Sequence, residues 1–456
     1  RQLIQLVRRR LERQDSSRDL LVFAGPGAGK TLGALLAFRS MREEGRLDRF
    51  LVFCHRTSIL SQWKKAATRL GLSLLEGPFE PDQIKTADGL LLTYQGAGRQ
   101  HHDLLNQIEQ LNSGRWLAIA DGAHHLGVAP DEPDSTAWGQ TFQELTHSLR
   151  LRLGLTGTPF RADNLGFCAA RRISVQVNGT WVEQIRPDLC VEPRELIAAG
   201  DVRPLEFRFQ DGWVEHSKEG QPDRDVSPLS AEQRESWRAR NLRRAIRLAD
   251  SSSIGQHVLL RAQRKLDALR ADHPRAAGLV IARDIDHAET IAQLLIEDGN
   301  RVELIHSQSP QATERLNGFQ DGHADWLVSI DMCAEGFAAP RLRVVAYLPT
   351  VVTRSRFGQG ITRAVRMTPD LAAVEPIPRS PSFVFAPADP LLMEYARSWS
   401  VAAPYVLRPR LQDGDEPLED GGSWRGHNLR LEAVEDGDGN VILLKNPELP
   451  SIRQRS

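Results

Sequence analysis

The sequence predicts an α/β protein with two blocks, each built on a parallel, doubly wound sheet. Short apolar runs alternate with helical patterns, and this alternation is typical of parallel sheets. The 456 residues exceed one ordinary core, and a hydrophobic content of 41% is enough for several. We expect a first α/β domain over 1–165, a connector with a basic helical segment over 166–275, a second α/β domain over 276–405 and a short acidic appendage over 406–456.

The first block starts with an amphipathic helix and continues with apolar runs that predict strands. Within 1–14, Leu3, Ile4, Val7 and Leu11 share one helical stripe. The apolar runs are 20–23, 50–53, 90–92, 116–120 and 151–155. Polar clusters follow these runs from the second onward, and ligands of parallel sheets bind beyond the carboxyl ends of the strands. These clusters are therefore the candidate site.

A glycine-rich turn follows the first apolar run and precedes a helical pattern. Residues 24–31 read Ala-Gly-Pro-Gly-Ala-Gly-Lys-Thr, which matches a phosphate loop except for Ala24 at its first position. Such a turn lets backbone N–H groups surround nucleotide phosphates at a helix N-terminus. Lys30 is then expected to reach the β and γ phosphates, and Thr31 to bind Mg²⁺. The backbone would come from Gly25, Gly27, Ala28 and Gly29.

The middle of the chain is less regular, and a second alternating block follows it. Residues 217–230 predict an exposed linker. Residues 231–275 are helical in pattern and carry eleven Arg or Lys against five acids, which fits either a solvated helix face or a phosphate-tracking surface. The second block has apolar runs at 278–282, 302–305, 326–330, 344–348 and 383–386, and it contains no glycine-rich phosphate loop.

Composition excludes several classes of protein. The net charge of −1 provides no global field for nucleic acid, so such a partner would need local basic surfaces. The four cysteines include no C-x-x-C pair, which argues against a zinc site or a disulfide framework and favours a reducing cytoplasm. No apolar stretch approaches the length of a membrane span, so we expect no membrane partner.

Taken in order, the strand-end clusters resemble the motifs of superfamily-two helicases, in the DEAD/DEAH-box branch related to restriction-type translocases. The matching segments are 24–31, 53–63, 93–95, 121–125, 156–161, 329–340 and 359–366. The resemblance implies two tandem RecA-like domains, ATP and Mg²⁺ as cofactors, and DNA or RNA as a partner, with a single-stranded segment across both domains. It also implies an ATP-dependent helicase or translocase. Any cutting would need a nuclease partner, and a loading partner is compatible with this interpretation.

The resemblance assigns roles to individual residues. Lys30, Asp121, Gln359, Arg363 and Arg366 become catalytic, with Asp121 and Thr31 holding Mg²⁺ and the two arginines, three apart, reaching the γ phosphate. The nucleotide-binding set gains Gly336. The strand-contacting set is His55, Arg56, Thr93, Tyr94 and Gln95.

Three positions depart from the family pattern. Gly122 replaces the Glu that acts on the attacking water, Ala338 replaces Asp, and Thr362 replaces Gly. Loss of a general base typically costs about 10² to 10⁴ in rate. The sequence therefore leaves three hypotheses open: a working motor, an ATP-gated clamp with impaired hydrolysis, or a motor subunit of a restriction or defence complex. If only the carboxylate were missing, Gly122→Glu would raise the ATPase rate by about 10² or more.

Two further sets of side chains are less specific. His124 is expected to pair with Gln359 or to be a packing residue, and both interpretations stay open. Trp63, Trp116 and Trp326 lie in apolar surroundings and are expected in the core.

Overall fold

The structure is a computed structural model of the whole chain, and part of the chain is described here. The described residues are 1–13, 18–55, 57–77, 79, 81–111, 114–127, 137–157, 172–177, 180–217, 224–232, 234–248, 253–306, 309, 311–330, 339–350, 352–400, 405–407 and 441–442. The chain divides into two compact units, the second of which begins at Pro193. Each unit contains one large parallel sheet.

The first unit is built on a seven-stranded sheet. The strands of this part of the chain are β1 (Asp19–Ala24), β2 (Arg49–Cys54), β3 (Leu74–Glu76), β4 (Gly89–Thr93), β5 (Trp116–Asp121), β6 (Leu151–Thr156), β7 (Arg172–Val177), β8 (Thr180–Ile185) and β9 (Leu189–Val191). The large sheet has the order β3-β4-β2-β5-β6-β1-β9, and its pairings are parallel. β7 and β8 form an antiparallel pair, which residues Tyr405–Leu407 extend.

Helices cover both faces of this sheet. They are α1 (Gln2–Glu12), α2 (Lys30–Glu43), α3 (Thr57–Arg69), α4 (Pro81–Thr86), α5 (Tyr94–Arg99), α6 (His101–Leu111) and α7 (Ala137–Thr146), with a 3-10 turn at Ala123–His125. Side chains alternate along a strand. Leu20 and Val22 therefore pack with Phe38 on one face, whereas Leu21 packs with Phe53 on the other.

The second unit is built on a six-stranded parallel sheet. The strands of this unit are β10 (Leu205–Gln210), β11 (Trp213–Ser217), β12 (Arg224–Pro228), β13 (Ala277–Ala282), β14 (Val302–Ile305), β15 (Trp326–Ile330), β16 (Leu342–Tyr347), β17 (Ser382–Pro387) and, after β18 (Tyr405–Leu407) of the first unit, β19 (Val441–Ile442). The large sheet has the order β10-β17-β16-β13-β15-β14.

The helices of the second unit follow the same alternation. They are α8 (Pro193–Ala199), α9 (Glu235–Ala245), α10 (Ile254–Asp272), α11 (Ile285–Glu297), α12 (Ala312–Asp321), α13 (Arg354–Ile361), α14 (Pro369–Val374) and α15 (Pro390–Ser398), with 3-10 turns at Leu229–Ala231 and Thr362–Val365. The predicted α/β class with two parallel sheets is confirmed.

The segment 166–275, expected as a connector, contributes a strand to each large sheet. β9 joins the edge of the first, and β10 joins the edge of the second beside β17. The sequence of β10 alternates apolar and polar residues, Leu-Glu-Phe-Arg-Phe-Gln, so it lacks the continuous apolar run of the central strands. Residues 224–228 of the expected linker 217–230 instead form β12, which pairs with β11.

The helical prediction for 231–275 is confirmed by α9 and α10. The three tryptophans expected in the core are buried, with 0% exposure for Trp63 and Trp326 and 1% for Trp116. In the part of the chain that the structure describes, no helix combines the length and the apolar character that a bilayer crossing requires.

Candidate nucleotide-binding site

The phosphate-loop sequence forms the predicted strand, turn and helix. β1 ends at Ala24, and α2 begins at Lys30. Gly27 and Gly29 have φ values of 85° and 72°, a left-handed conformation that glycine adopts without a steric penalty. Among the described residues, no side chain caps the N-terminus of the 14-residue helix α2. The N–H groups of its first turn are therefore suited to bind an anion, so a nucleotide phosphate fits this helix N-terminus.

The ammonium group of Lys30 lies against this loop. Its Nζ donates hydrogen bonds to the carbonyl oxygens of Ala24, at 2.8 Å, and Gly25, at 3.2 Å. Thr31 follows in the first turn of α2 and is half-buried. The sequence-predicted phosphate anchor is thus positioned by the turn itself, with its charge beside the peptide groups that would surround a phosphate.

Asp121 ends β5, and two aromatic residues contact it. The indole Nε1 of Trp63 donates a hydrogen bond to Asp121 Oδ2 at 2.8 Å. The hydroxyl of Tyr94 donates to the backbone carbonyl of Asp121, also at 2.8 Å. Within the described residues Oδ1 accepts no hydrogen bond, so one carboxylate oxygen is available for a hard cation such as Mg²⁺.

The next residue, Gly122, has a conformation of its own. Its φ of 72° is left-handed, and its N–H donates to the carbonyl of Leu155 at 3.0 Å. A Cβ atom at this position would lie 3.1 Å from Nδ1 of His55 and 3.2 Å from Cδ2 of His125. The imidazole rings of His55 and His125 therefore lie against the position that a Cβ atom of residue 122 would take.

Three histidine rings lie against one another at this point, tilted by 33° and 38°. The ring centroids of His55 and His125 are 4.3 Å apart, and those of His124 and His125 are 4.2 Å apart. His124 Nδ1 is 3.0 Å from the hydroxyl oxygen of Thr156, at the end of β6. Both the backbone conformation and these rings oppose a side chain at residue 122, which argues against the expectation that Gly122→Glu would simply complete the site.

Two domain models match the sequence, one on each side of the middle segment. Residues 2–161 match the model of the type III restriction enzyme res subunit, and residues 262–368 match the helicase conserved C-terminal domain. Together the two models cover more than half of the chain, and this pairing places it among the superfamily-two helicases of the restriction type. The parallel sheets of this superfamily-two protein are thus those of two tandem RecA-like domains.

Sequence similarity between this superfamily-two protein and its relatives extends along most of the chain. An uncharacterized protein of Mycobacterium tuberculosis is 30% identical over 411 residues, which cover 88% of this chain and 64% of that protein. The chain therefore spans less than two thirds of the length of this relative. The fold also resembles an ATP-dependent type ISP restriction-modification enzyme, LlaBIII, solved bound to DNA, with a TM-score of 0.53 and 10% identity over 88% of this chain and 29% of that one.

A second structural relative is a fragment of a putative HsdR subunit of a type I restriction enzyme from Vibrio vulnificus YJ016. Its TM-score is 0.54 at 15% identity, and the match covers 89% of this chain and 67% of that fragment. At this level of identity the two structural likenesses establish the fold alone.

The predicted strand-contacting residues of this superfamily-two protein have different environments. Thr93 caps α5, since its hydroxyl accepts a hydrogen bond from the N–H of Gly96 at 2.9 Å. Gln95 is exposed and His55 is half-buried, while Arg56 lies outside the described residues. Tyr94 is only 1% exposed, so its ring is a core group that presents no face to a nucleic acid.

The predicted second-domain residues lie at the end of α13. Gln359 is half-buried on this helix, which ends at Ile361. Arg363 is buried within the 3-10 turn Thr362–Val365, and half-buried Arg366 follows it. Only Arg363 thus belongs to a 3-10 turn, since Arg366 follows it in extended conformation, and the two arginines do not share the helical face that their three-residue spacing suggested. Gly336, Ala338 and residues 158–161 lie outside the described part of the chain.

Many arginines of the basic segment 231–275 are bound to groups of the second unit. Arg238 pairs with buried Asp389 at 2.7 Å, Arg270 with Asp325 at 2.8 Å, and Arg234 with Glu232 at 2.9 Å. Arg247, Arg264 and Arg275 are exposed. Part of the positive charge of this segment therefore has a structural role. Only its exposed arginines can form the phosphate-tracking surface that the sequence also allowed.

Sequence reasoning missed the second role of Trp63. Its burial was predicted, but its hydrogen bond to Asp121 was not. The available signal is chemical: a buried tryptophan usually finds an acceptor for its N–H group, and a conspicuous acceptor in this domain is Asp121.

Proposed function

We propose that this chain binds Mg²⁺-ATP through its first unit and couples nucleotide hydrolysis to movement on DNA or RNA. The observation that carries the proposal is the pairing of a formed phosphate loop, with Lys30 at the start of α2, and a carboxylate at the end of β5 on the same sheet. Parallel strands place their carboxyl ends at one edge, where nucleotides bind in such sheets.

Each residue of the first unit has a distinct task in this proposal. The backbone of Gly25, Gly27, Ala28 and Gly29 surrounds the phosphates, and Lys30 leaves its carbonyl partners for the β and γ phosphates. Thr31 and Asp121 hold the metal ion, which supplies neutralisation of the phosphate charge when it is bound. The first turn of α2 adds the N–H groups that favour the anion.

The roles that we propose for the second unit and for the nucleic acid come from the family motifs. Arg363 and Arg366 would neutralise charge on the γ phosphate, and Gln359 and Gly336 would complete the nucleotide contacts. His55, Arg56, Thr93 and Gln95 would contact a nucleic-acid strand. The structural relative LlaBIII, solved bound to DNA, favours DNA as the first polymer to test.

An ATP-gated clamp with slow hydrolysis is the second candidate. Gly122 favours it, because the residue lacks a carboxylate and its surroundings hold imidazole rings instead. Steady-state ATPase measurements with and without single-stranded and duplex DNA and RNA separate the two. A motor is expected to turn over at about 1 to 100 per second with its polymer, whereas a clamp would bind the polymer with a far slower rate.

Lys30→Ala tests the nucleotide site directly. Hydrogen bonds to charged groups contribute about 1.5–3 kcal/mol, so the affinity for a fluorescent ATP analogue is expected to fall by about tenfold or more. Lys85→Ala is the matched control, since Lys85 lies on α4 of the same unit in an exposed ion pair with Asp82. Equal affinities of the two variants would reject Lys30 as the phosphate anchor.

A further inference from the structure

We infer that Trp63 and Tyr94 are positioning residues for the metal-binding carboxylate of Asp121. The inference rests on the proposed function, since it assigns a purpose to contacts around the residue proposed to hold Mg²⁺. It concerns two aromatic side chains for which the sequence predicted other roles, Trp63 as a core residue and Tyr94 as a strand contact.

Trp63 holds the side chain of Asp121. It lies on α3 and is 0% exposed, and its Nε1 is 2.8 Å from Asp121 Oδ2. A hydrogen bond from a neutral N–H to an ionised carboxylate is stronger than one between neutral groups. The contact fixes the rotation of the carboxylate, occupies one oxygen and leaves Oδ1 for a cation.

Tyr94 holds the main chain of the same residue. It begins α5 and is 1% exposed, and its hydroxyl donates to the Asp121 carbonyl oxygen at 2.8 Å. The ring is itself held between Phe53 and Trp138, with centroids 6.4 and 5.9 Å away. Because the following residue is a left-handed glycine, this bond restrains the backbone at a point where it could otherwise turn easily.

Burial alone does not explain the Trp63 contact. Trp116, at the start of β5, is equally buried at 1% exposure, yet its Nε1 finds no acceptor in the part of the chain that the structure describes. This domain therefore tolerates a buried indole without a hydrogen bond. The bond from Trp63 is a feature of the Asp121 environment, where groups that orient a metal ligand typically change metal affinity by about 10- to 100-fold.

Trp63→Phe and Trp116→Phe form a matched pair of variants. Each replaces a buried indole of the first unit by a smaller ring, but only the first removes a hydrogen bond to Asp121. Binding of a fluorescent ATP analogue is measured as Mg²⁺ is titrated, and again in EDTA. We expect the half-saturating Mg²⁺ concentration of Trp63→Phe to rise by about tenfold or more, with Trp116→Phe close to wild type and both unchanged in EDTA.

Tyr94→Phe is the second variant, because it removes a single oxygen and keeps the packed ring. A smaller rise in the Mg²⁺ requirement is expected for it, and thermal unfolding curves show that each variant is folded. Unchanged Mg²⁺ dependence in both Trp63→Phe and Tyr94→Phe, with normal binding by the wild type, would overturn this inference alone. Absence of Mg²⁺-dependent ATP binding by the wild type would overturn the proposed function and the inference together.

Discussion

Two neighbouring residues at the end of β5 are fixed in different ways, one by hydrogen bonds from side chains and the other by its backbone conformation. Asp121 is restrained at its carboxylate and at its carbonyl by two buried aromatic residues. Gly122 instead depends on a backbone conformation, with φ at 72°, that costs an L-residue about 1–2 kcal/mol. A side chain at 122 therefore affects the site through the backbone as well as through its chemistry.

Gly122→Ala is expected to destabilise the first unit by more than the backbone penalty of about 1–2 kcal/mol. The added Cβ would come within 3.1 Å of His55 Nδ1 and 3.2 Å of His125 Cδ2, so the rings must move. Gly71→Ala is the control, since Gly71 has a φ of 70° and, among the described residues, no atom within 4 Å of the place that an added Cβ would take. Denaturant unfolding measures both, and equal losses would show that the histidine contacts cost nothing.

Gly122→Glu is expected to leave the nucleic-acid-stimulated ATPase rate within about threefold of wild type or lower it. The gain of about 10² or more that a general base provides requires a carboxylate in the correct place. The left-handed backbone directs the first atom of the side chain at His55 instead. A hundredfold rise in the steady-state ATPase rate would contradict this expectation and would show that the site of the wild-type chain lacks only a carboxylate.

At the scale of elements, a histidine joins two helices of the second unit. His287 on α11 accepts a hydrogen bond from the N–H of Arg283 at Nδ1 and is 2.9 Å from the carbonyl of Ile246, which follows α9, at Nε2. Because Nδ1 accepts, Nε2 carries the proton and donates, so the ring is neutral. Burial, and then the positive charge of Arg283, lower the pKa of His287 below its usual 6.5, while Asp284 acts in the opposite direction.

Stability of the second unit is therefore expected to fall as the pH drops below about 6.5. The unfolded chain binds a proton at its ordinary pKa, whereas the folded ring resists it, so the contribution is complete above 6.5 and declines below that pH. His287→Gln should lose part of this pH dependence between about pH 7 and 5. Thermal unfolding across that range measures it, with His273→Gln at an exposed position as the control. Parallel curves for wild type and His287→Gln would contradict the assignment.

For the whole molecule, charge balance requires local rather than global recognition of a polymer. The net charge is −1, and several arginines of 231–275 already pair with acids such as Asp389 and Asp325. Any affinity for nucleic acid must come from the remaining exposed cations and from the strand-end clusters. Binding is then expected to be sensitive to salt despite the nearly neutral chain.

The logarithm of the association constant for a single-stranded DNA oligomer is expected to fall linearly with the logarithm of salt concentration. Each phosphate contact contributes a slope of about −0.7 for single strands, so several contacts give a steep line. Fluorescence anisotropy measures it, and an uncharged peptide nucleic acid of the same sequence is the control. A slope near zero for DNA would mean that phosphate contacts are not the basis of binding.

Local pattern was sufficient for the central strands of both sheets and for the phosphate loop. The buried strands of both units appear as apolar runs, and the left-handed positions of the loop coincide with Gly27 and Gly29. Both features depend on neighbours in the chain, because side-chain alternation and backbone freedom are properties of short segments. The same reasoning missed three strands at sheet edges: β3 and β9, which have three residues each, and β10, which shows only alternation.

The environment of Asp121 was decided by tertiary structure. Trp63 is 58 residues away in sequence and Tyr94 is 27 away, and both reach Asp121 because β2 and β4, which precede their helices, lie on the same side of β5 in the sheet. Strand order also brings His55 against Gly122. Composition and spacing carry little information about strand order, since each strand is specified mainly by its own apolar run, and the contacts that orient the site arise only when the strands assemble.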